Sequence, residues 1–174
     1  MRCPWRRPAR GLAYLLLLAA VVGAVDLWRG RALPTEAVAL GSLTTLEGKT
    51  LDLVALSRER PVLVYIWASW CGACRFVSPM VDLVGEPVVS IAIASGSDDR
   101  VAGYMAQHGH DFAVVNDEHN ILARRLGIQA TPTLLVASQG ELKYATTGFT
   151  TLPGMYLRLW LAKIRSWGLG YYIV

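Results

Sequence analysis

Residues 63–75 read LVYIWASWCGACR, and this stretch decides both the fold and the chemistry. The apolar run that it opens with predicts a central strand buried on both faces. A helix is expected to begin at the cysteines and to run to about Val84. Cys71 and Cys74 have the spacing Cys-x-x-Cys, which suits a redox centre, half of a metal site or a structural disulfide. Other parts of the chain must discriminate among these three.

The cysteine count argues against a structural disulfide. The chain has 174 residues, 53% of them hydrophobic, which is enough for one domain with a core of its own. It contains three cysteines, and Cys3 lies far from the pair. A bridge that closes only about four residues removes roughly 2 kcal/mol of unfolded-state entropy. A stabilising role for the pair is therefore the weakest of the three.

The positive charge of the chain is concentrated at its N-terminus. Residues 1–31 hold six of the 17 basic side chains and one of the 13 acidic ones, whereas residues 32–174 hold 11 basic and 12 acidic ones. The net charge of +4 therefore does not describe the domain. No nucleic-acid partner is predicted, because no basic face remains to bind one.

The N-terminal segment has the pattern of an export signal. Arginines precede an apolar run from Gly11 to Val25, which spans about 22 Å as a helix and roughly 27 Å if it extends to Trp28. Trp28 and the preceding arginines favour an uncleaved anchor in a bacterial inner membrane over a signal peptide cleaved after Ala24. A single pass would leave the first residues in the cytoplasm and the domain in the periplasm, where disulfides persist.

Five segments are predicted along the chain. They are a cytoplasmic basic segment (1–10), a membrane anchor or signal peptide (11–28), a linker (29–40), the domain (41–167) and a C-terminal tail (168–174).

Within the domain, strands alternate with helices. A hairpin is predicted in residues 42–56 with Gly48 in its turn. Further strands are predicted at 86–95 and 111–117, helices at 98–109 and 118–128, a second hairpin at 131–149 and a last helix at 150–168. This order predicts an α/β fold with a mixed central sheet flanked by helices.

A zinc site would need two ligands beyond the cysteine pair. The third cysteine is expected across a membrane, so His108, His110 or His119 would have to converge, and histidines in such surface-like stretches are more often solvated. A copper chaperone with Cys71 and Cys74 as soft Cu(I) ligands is the alternative function. No resident metal or cofactor is predicted.

The strand-to-helix setting gives the two thiols different roles. At the N-terminus of a helix, unpaired N–H groups and the helix dipole favour the thiolate of Cys71. Cys74 lies about one turn further on and is expected to be partly covered. These positions make Cys71 the attacking nucleophile and Cys74 the resolving thiol.

The sequence WCGAC after a buried strand, TPT before a hairpin 60 residues later, and the order of elements over about residues 40–166 resemble the thioredoxin superfamily. The resemblance implies a cis Thr131–Pro132 bond, with Pro132 against the cysteines and the Thr131 backbone pairing with a substrate strand. It makes Trp70 an apolar contact beside the pair and Gly72 and Ala73 the motif spacer. It also implies a thioredoxin-like fold with an N-terminal β-hairpin extension.

The export segment and the N-terminal hairpin are similar to those of exported TlpA-type proteins. The runs SDDRVAGYMAQHGHDFAVVND (97–117) and TTGFTTLPGMYLRLWLAK (146–163) most resemble the membrane-anchored suppressor-of-copper-sensitivity protein D group of protein disulfide oxidoreductases. This resemblance implies a redox disulfide between Cys71 and Cys74. It implies exported protein thiols or disulfides as substrates and a transmembrane electron donor of the DsbD type. A link to copper or oxidative stress tolerance also follows from it.

Three positions depart from related proteins. Cytoplasmic thioredoxins carry a buried Asp six residues before the first cysteine, where this chain has Tyr65, a poor base at neutral pH. The branch that matures cytochrome c has Glu after the proline, where this chain has Thr133. Relatives often place proline between the cysteines, where this chain has Gly72 and Ala73. The direction of electron flow is therefore open, and reduction of substrate is preferred.

Overall fold

The computed structural model describes residues 40–85 and 87–169, together with residues 11, 13, 14 and 17; of residues 167–169 it describes the backbone only. The predicted basic segment and most of the predicted anchor, linker and tail lie outside these residues, so their boundaries stay predictions. Among the helices in the described ranges, none combines the length and the apolar character that a membrane crossing requires.

The domain contains seven strands and five helices within the described ranges. The strands are β1 (Ser42–Thr44), β2 (Thr50–Asp52), β3 (Val62–Trp67), β4 (Val88–Ile93), β5 (Ala113–Asp117), β6 (Thr133–Ser138) and β7 (Glu141–Thr147). The helices are α1 (Leu53–Glu59), α2 (Cys74–Asp82), α3 (Asp98–His108), α4 (Ile121–Arg125) and α5 (Leu152–Leu169).

The central sheet has the strand order β5-β4-β3-β6-β7. Strand β3 lies in the middle of the sheet, and all six of its residues are buried, so both faces of the sheet are covered at this strand. It runs parallel to β4 and antiparallel to β6, so that Val64 pairs with Val89 on one side and with Leu135 on the other. The predicted mixed α/β sheet flanked by helices is confirmed.

The N-terminal hairpin is also confirmed, with β1 and β2 pairing antiparallel around Gly48. Gly48 has φ of +75°, a conformation that suits glycine because it has no Cβ. The second apolar run of this segment was expected to be strand, and most of it is helix instead. Asp52 begins α1 by accepting a hydrogen bond at Oδ1 from the Ala55 N–H at 3.0 Å.

The helices after β3 follow the predicted order with shifted boundaries. Helix α2 begins at Cys74 rather than at the first cysteine, and it ends at Asp82 rather than near Val84. Helix α4 is also shorter than predicted. Helix α3 ends where it was expected to, at Gly109, which has the left-handed conformation that commonly closes a helix.

The last helix packs one face on the sheet. Met155, Leu159 and Ala162 are buried, as their spacing predicted. The last helix and helix α1 both pack against strand β6. The Tyr156 hydroxyl of the last helix donates to the Leu83 carbonyl at 3.0 Å, which ties this helix to the residue that follows α2.

Candidate active site

The two cysteines follow directly from the central strand. Strand β3 ends at Trp67, a turn follows, and Cys71 lies immediately before helix α2. Cys71 and Cys74 are joined by a disulfide with their Cα atoms 5.3 Å apart. Cys71 is 6% exposed and Cys74 is fully buried. Of the two residues, Cys71 is therefore the more accessible to a substrate.

The backbone around the pair favours negative charge on Cys71. The Cys74 N–H donates to the Cys71 Sγ at 3.2 Å and to the Cys71 carbonyl at 3.1 Å. Helix α2 begins at Cys74, so its first N–H groups face back towards Cys71. A hydrogen bond donated to sulfur stabilises the thiolate relative to the thiol. Although the helix begins at Cys74 and not at Cys71, its N-terminus still favours the thiolate of Cys71, as the sequence predicted.

The loop after β4 braces the turn that carries the cysteines. The Trp70 Nε1–H donates to the Ala94 carbonyl at 3.0 Å, and the Ser95 hydroxyl accepts from the Ser69 N–H at 2.9 Å while donating to the Ile93 carbonyl. Trp70 remains 65% exposed, so its indole is fixed at one edge and open to a partner. Ala94 and Ser95 were predicted to belong to the strand, which ends at Ile93 instead, and nothing in the sequence indicated what this loop contacts.

The Thr131–Pro132 segment lies at the same end of the sheet as the cysteines. The register pairs Ile66 near the end of β3 with Thr133 at the start of β6. The bond between Thr131 and Pro132 is cis, as the resemblance implied, and the Pro132 carbonyl accepts from the Gly148 N–H at 2.8 Å. Thr131 is partly exposed. Its pairing with a substrate strand stays a prediction.

The spacer and the residue after Cys74 lie on the surface. Gly72 and Ala73 are exposed, and so is Arg75. A Cβ on Gly72 would meet no atom within 4 Å, so no steric contact requires glycine at this position.

Tyr65 lies in strand β3, six residues before Cys71, at the sequence position where cytoplasmic thioredoxins have a carboxylate. Its side chain is fully buried, its hydroxyl shares a hydrogen bond with the Ser78 hydroxyl at 2.9 Å, and its ring meets Phe112 edge to face. Burial raises the pKa of Tyr65 well above its ordinary value of 10, because the phenolate would lose its hydration. Tyr65 is therefore neutral at physiological pH and cannot accept the proton of Cys74.

One of the three histidines differs from the expectation that they are solvated. His110 is buried, and its Nδ1 lies 2.5 Å from the Asp82 Oδ2. His108 is exposed and stacks on Tyr104 with ring centroids 4.1 Å apart, and His119 is exposed as well. In residues 40–85 and 87–169, no three His, Cys, Asp or Glu side chains are grouped so that they could hold a metal ion.

Comparisons with known proteins agree with this architecture. A family model described as Redoxin matches residues 30–155. A thioredoxin-like protein from Haemophilus influenzae is 34% identical over 156 residues, which cover 88% of this chain and 93% of the relative.

Solved structures share the fold at lower identity. A secreted Mycobacterium tuberculosis disulfide oxidoreductase has a TM-score of 0.58 at 19% identity, and the match covers 69% of this chain and 94% of that one. A thiol:disulfide interchange protein from Chlorobium tepidum has a TM-score of 0.59 at 22% identity, covering 74% and 93%. Together with the family match and the Haemophilus relative, these findings show that the chain belongs to the redoxin family of thioredoxin-like proteins.

Proposed function

We propose that this protein is an exported thiol–disulfide oxidoreductase that reduces protein disulfides or oxidised cysteines through Cys71 and Cys74. The observation that carries the proposal is the unequal burial of two bonded cysteines at the end of the central strand. Cys71 is slightly exposed and receives an N–H hydrogen bond at sulfur, whereas Cys74 is enclosed. A nucleophile must be reached by its substrate, and a resolving thiol need only reach the nucleophile.

The exchange runs in two displacements. In the reduced protein, the Cys71 thiolate attacks one sulfur of a substrate disulfide, and the other substrate sulfur leaves as a thiolate and takes up a proton. Cys74 then loses its proton and attacks the Cys71 sulfur, which releases the second substrate sulfur. Two electrons pass to the substrate, and the protein is left with the Cys71–Cys74 disulfide. One of the two protons that the substrate sulfurs take up balances the proton lost by Cys74, and the other comes from solvent, because Cys71 reacts as the thiolate. An external dithiol donor must reduce this disulfide before the next cycle.

Because Tyr65 is neutral and bonded to Ser78, the proton of Cys74 must leave by another route. A water molecule that enters when the mixed disulfide forms can supply one. Trp70, which directly precedes Cys71, and the Thr131–Pro132 segment, which lies at the same end of the sheet, are the proposed substrate contacts.

The N-terminal segment supports the remaining part of the proposal. Its arginines and apolar run suit a single-pass anchor in a bacterial inner membrane, with the domain in the periplasm and a donor of the DsbD type recharging it. Membership of the suppressor-of-copper-sensitivity protein D group, and with it a role in copper or oxidative stress tolerance, belongs to the same proposal. The similar M. tuberculosis protein is described as secreted.

Exchange activity and its direction are tested together. The full chain, purified in detergent, is equilibrated with glutathione buffers of known poise. A reduction potential of about −270 mV fits a reductant, and one of about −120 mV would make the protein an oxidant. Cys71→Ser should abolish reduction of a disulfide-bonded protein, whereas Cys3→Ser, the matched control, should not affect it. Full activity of Cys71→Ser would end the proposal.

Topology is tested separately in cells. In a chain without its native cysteines, a single cysteine is introduced at exposed Arg124, or Cys3 alone is retained. A maleimide reagent that cannot cross the inner membrane should label residue 124 in spheroplasts, and Cys3 only after detergent is added. Labelling of Cys3 in intact spheroplasts would contradict the predicted orientation.

A further inference from the structure

A large cavity lies beside Trp70, which is one of its lining residues. It has a volume of about 1120 Å³ and is open to solvent. The start of helix α2, the loop after β4 and one face of α3 enclose it, and the exchange mechanism described above does not use it. Because Trp70 directly precedes Cys71 and also lines this cavity, a chain bonded to Cys71 can reach it within a few residues.

The lining of this cavity carries positive charge, and it is called the basic pocket below. Arg75 and Arg100 line it together with His108 and His119, and the one carboxylate in the lining is Glu118. Neither arginine forms an ion pair within the described part of the chain. The pocket contrasts with the rest of the domain, where acidic side chains slightly outnumber basic ones.

The position of Arg100 depends on a glycine. Gly96 has φ of +92°, and a Cβ added to it would lie 2.7 Å from the Arg100 Cδ. The aliphatic part of Arg100 therefore lies across the glycine, where any larger residue would displace it. Trp70 is held on the same loop by its hydrogen bond to the Ala94 carbonyl. The loop after β4 thus places an indole and a guanidinium on adjoining walls.

We infer that the basic pocket selects substrates that carry carboxylates beside the disulfide to be reduced. This inference rests on the proposed function and adds a substrate class to it. A carboxylate placed between Arg75 and Arg100 gains charge-assisted hydrogen bonds without competing with an internal ion pair. The pairs remain solvent-exposed, so each guanidinium contributes about a threefold effect, which salt reduces.

Three peptides with the same disulfide and acidic, neutral or basic flanking residues test the inference on the reduced full chain. The acidic peptide should have a kcat/KM about tenfold above that of the neutral one, and 0.5 M NaCl should remove most of this preference. Arg75→Gln and Arg100→Gln should each lower the ratio of acidic to neutral kcat/KM about threefold. Arg125→Gln, which removes an exposed arginine outside the pocket, should leave the ratio unchanged.

A second measurement separates this inference from the proposed function. A fluorescent acidic peptide with serines in place of its cysteines should bind to the full chain, and Arg100→Gln should weaken that binding. Equal kcat/KM values for the three peptides would overturn the inference while exchange itself stands. Binding without exchange would support the pocket and refute the oxidoreductase. Oxidised glutathione also carries carboxylates, but on a small disulfide. If it were reduced with a higher kcat/KM than the acidic peptide, the inference that the pocket binds protein substrates would be wrong.

Discussion

The substitution Tyr65→Phe tests whether the buried phenol of Tyr65 has a structural or a catalytic role. The change removes one hydroxyl and keeps the ring that packs against Phe112. Because burial holds Tyr65 neutral, we expect exchange activity within about threefold of the original. The pH dependence of the rate between about pH 6 and 9 should keep its shape, since the hydroxyl does not titrate there.

The expected stability cost follows from the lost hydrogen bond between the Tyr65 and Ser78 hydroxyls. A typical buried hydrogen bond contributes about 1 kcal/mol. Ser78 lies within helix α2 and can turn its hydroxyl to the carbonyl one turn earlier, which limits the loss. For a chain of this size, about 1 kcal/mol corresponds to a fall in Tm of about 2–4 °C.

The matched control is Ser78→Ala, which leaves the Tyr65 hydroxyl in the core without its partner. It should cost more than Tyr65→Phe, about 2 kcal/mol. Since the two residues share one interaction, the double substitution should destabilise less than the sum of the single ones. Urea unfolding of the full chain in detergent, followed by circular dichroism, measures all three variants, and a disulfide reduction assay runs on the same samples.

Raised alkaline pH gives a second readout. Tyr65 ionises at about pH 10 in the unfolded chain but stays neutral there in the folded chain, because burial raises its pKa. Ionisation therefore favours the unfolded state, and the contribution of Tyr65 to the free energy of unfolding is lost as the pH rises above that value. The loss should be smaller in Tyr65→Phe than in the original chain. A fall in exchange of more than tenfold in Tyr65→Phe, with stability reduced by only about 1 kcal/mol, would refute the structural role and make the phenol part of the proton route.

Three further substitutions test the supports of the site. Asp117→Ala should cost about 2–3 kcal/mol in urea unfolding, because the buried Asp117 carboxylate accepts hydrogen bonds from the Ile121 and Ala123 N–H groups at the start of helix α4, at 2.7 and 2.8 Å. A cost below about 0.5 kcal/mol would show that these two hydrogen bonds are dispensable. Asp82→Ala should cost about 2 kcal/mol by leaving buried His110 without its partner, and an unchanged Tm would argue against that pair. Trp70→Ala should lower kcat/KM for a protein disulfide about fivefold with stability nearly unchanged, since its indole is largely exposed; equal kcat/KM would remove Trp70 from the substrate contacts.

The sequence predicted those parts of the fold that rest on local pattern. The apolar run of β3, the turn at Gly48 and the buried face of the last helix each depend on residues that are neighbours in the chain or one helical turn apart. The cysteine pair was predictable for the same reason. Helix α1 was missed because its short apolar segment fits both periods, although Asp52 before it is a residue that commonly begins helices.

Contacts between distant segments were beyond prediction. His110 is buried and paired with Asp82, which lies 28 residues away in the sequence. The residues around His110 have the polar pattern of an exposed segment, so the sequence did not predict this pair. The bracing of Trp70 by the Ala94 carbonyl and the basic pocket beside it likewise arise where three separate segments meet. Hydrophobic periodicity and secondary-structure propensity describe residues that are close in the sequence, so they give no information about contacts between distant segments.

The central claim is that Cys71 attacks and Cys74 resolves, and trapping the mixed disulfide tests it most directly. In a Cys3→Ser background, reduced Cys74→Ser and Cys71→Ser variants are incubated with a disulfide-bonded protein substrate and analysed by mass spectrometry. The account predicts a stable adduct on Cys71 in the Cys74→Ser variant and almost none in the Cys71→Ser variant. An adduct that forms on Cys74 at an equal or greater rate would contradict it.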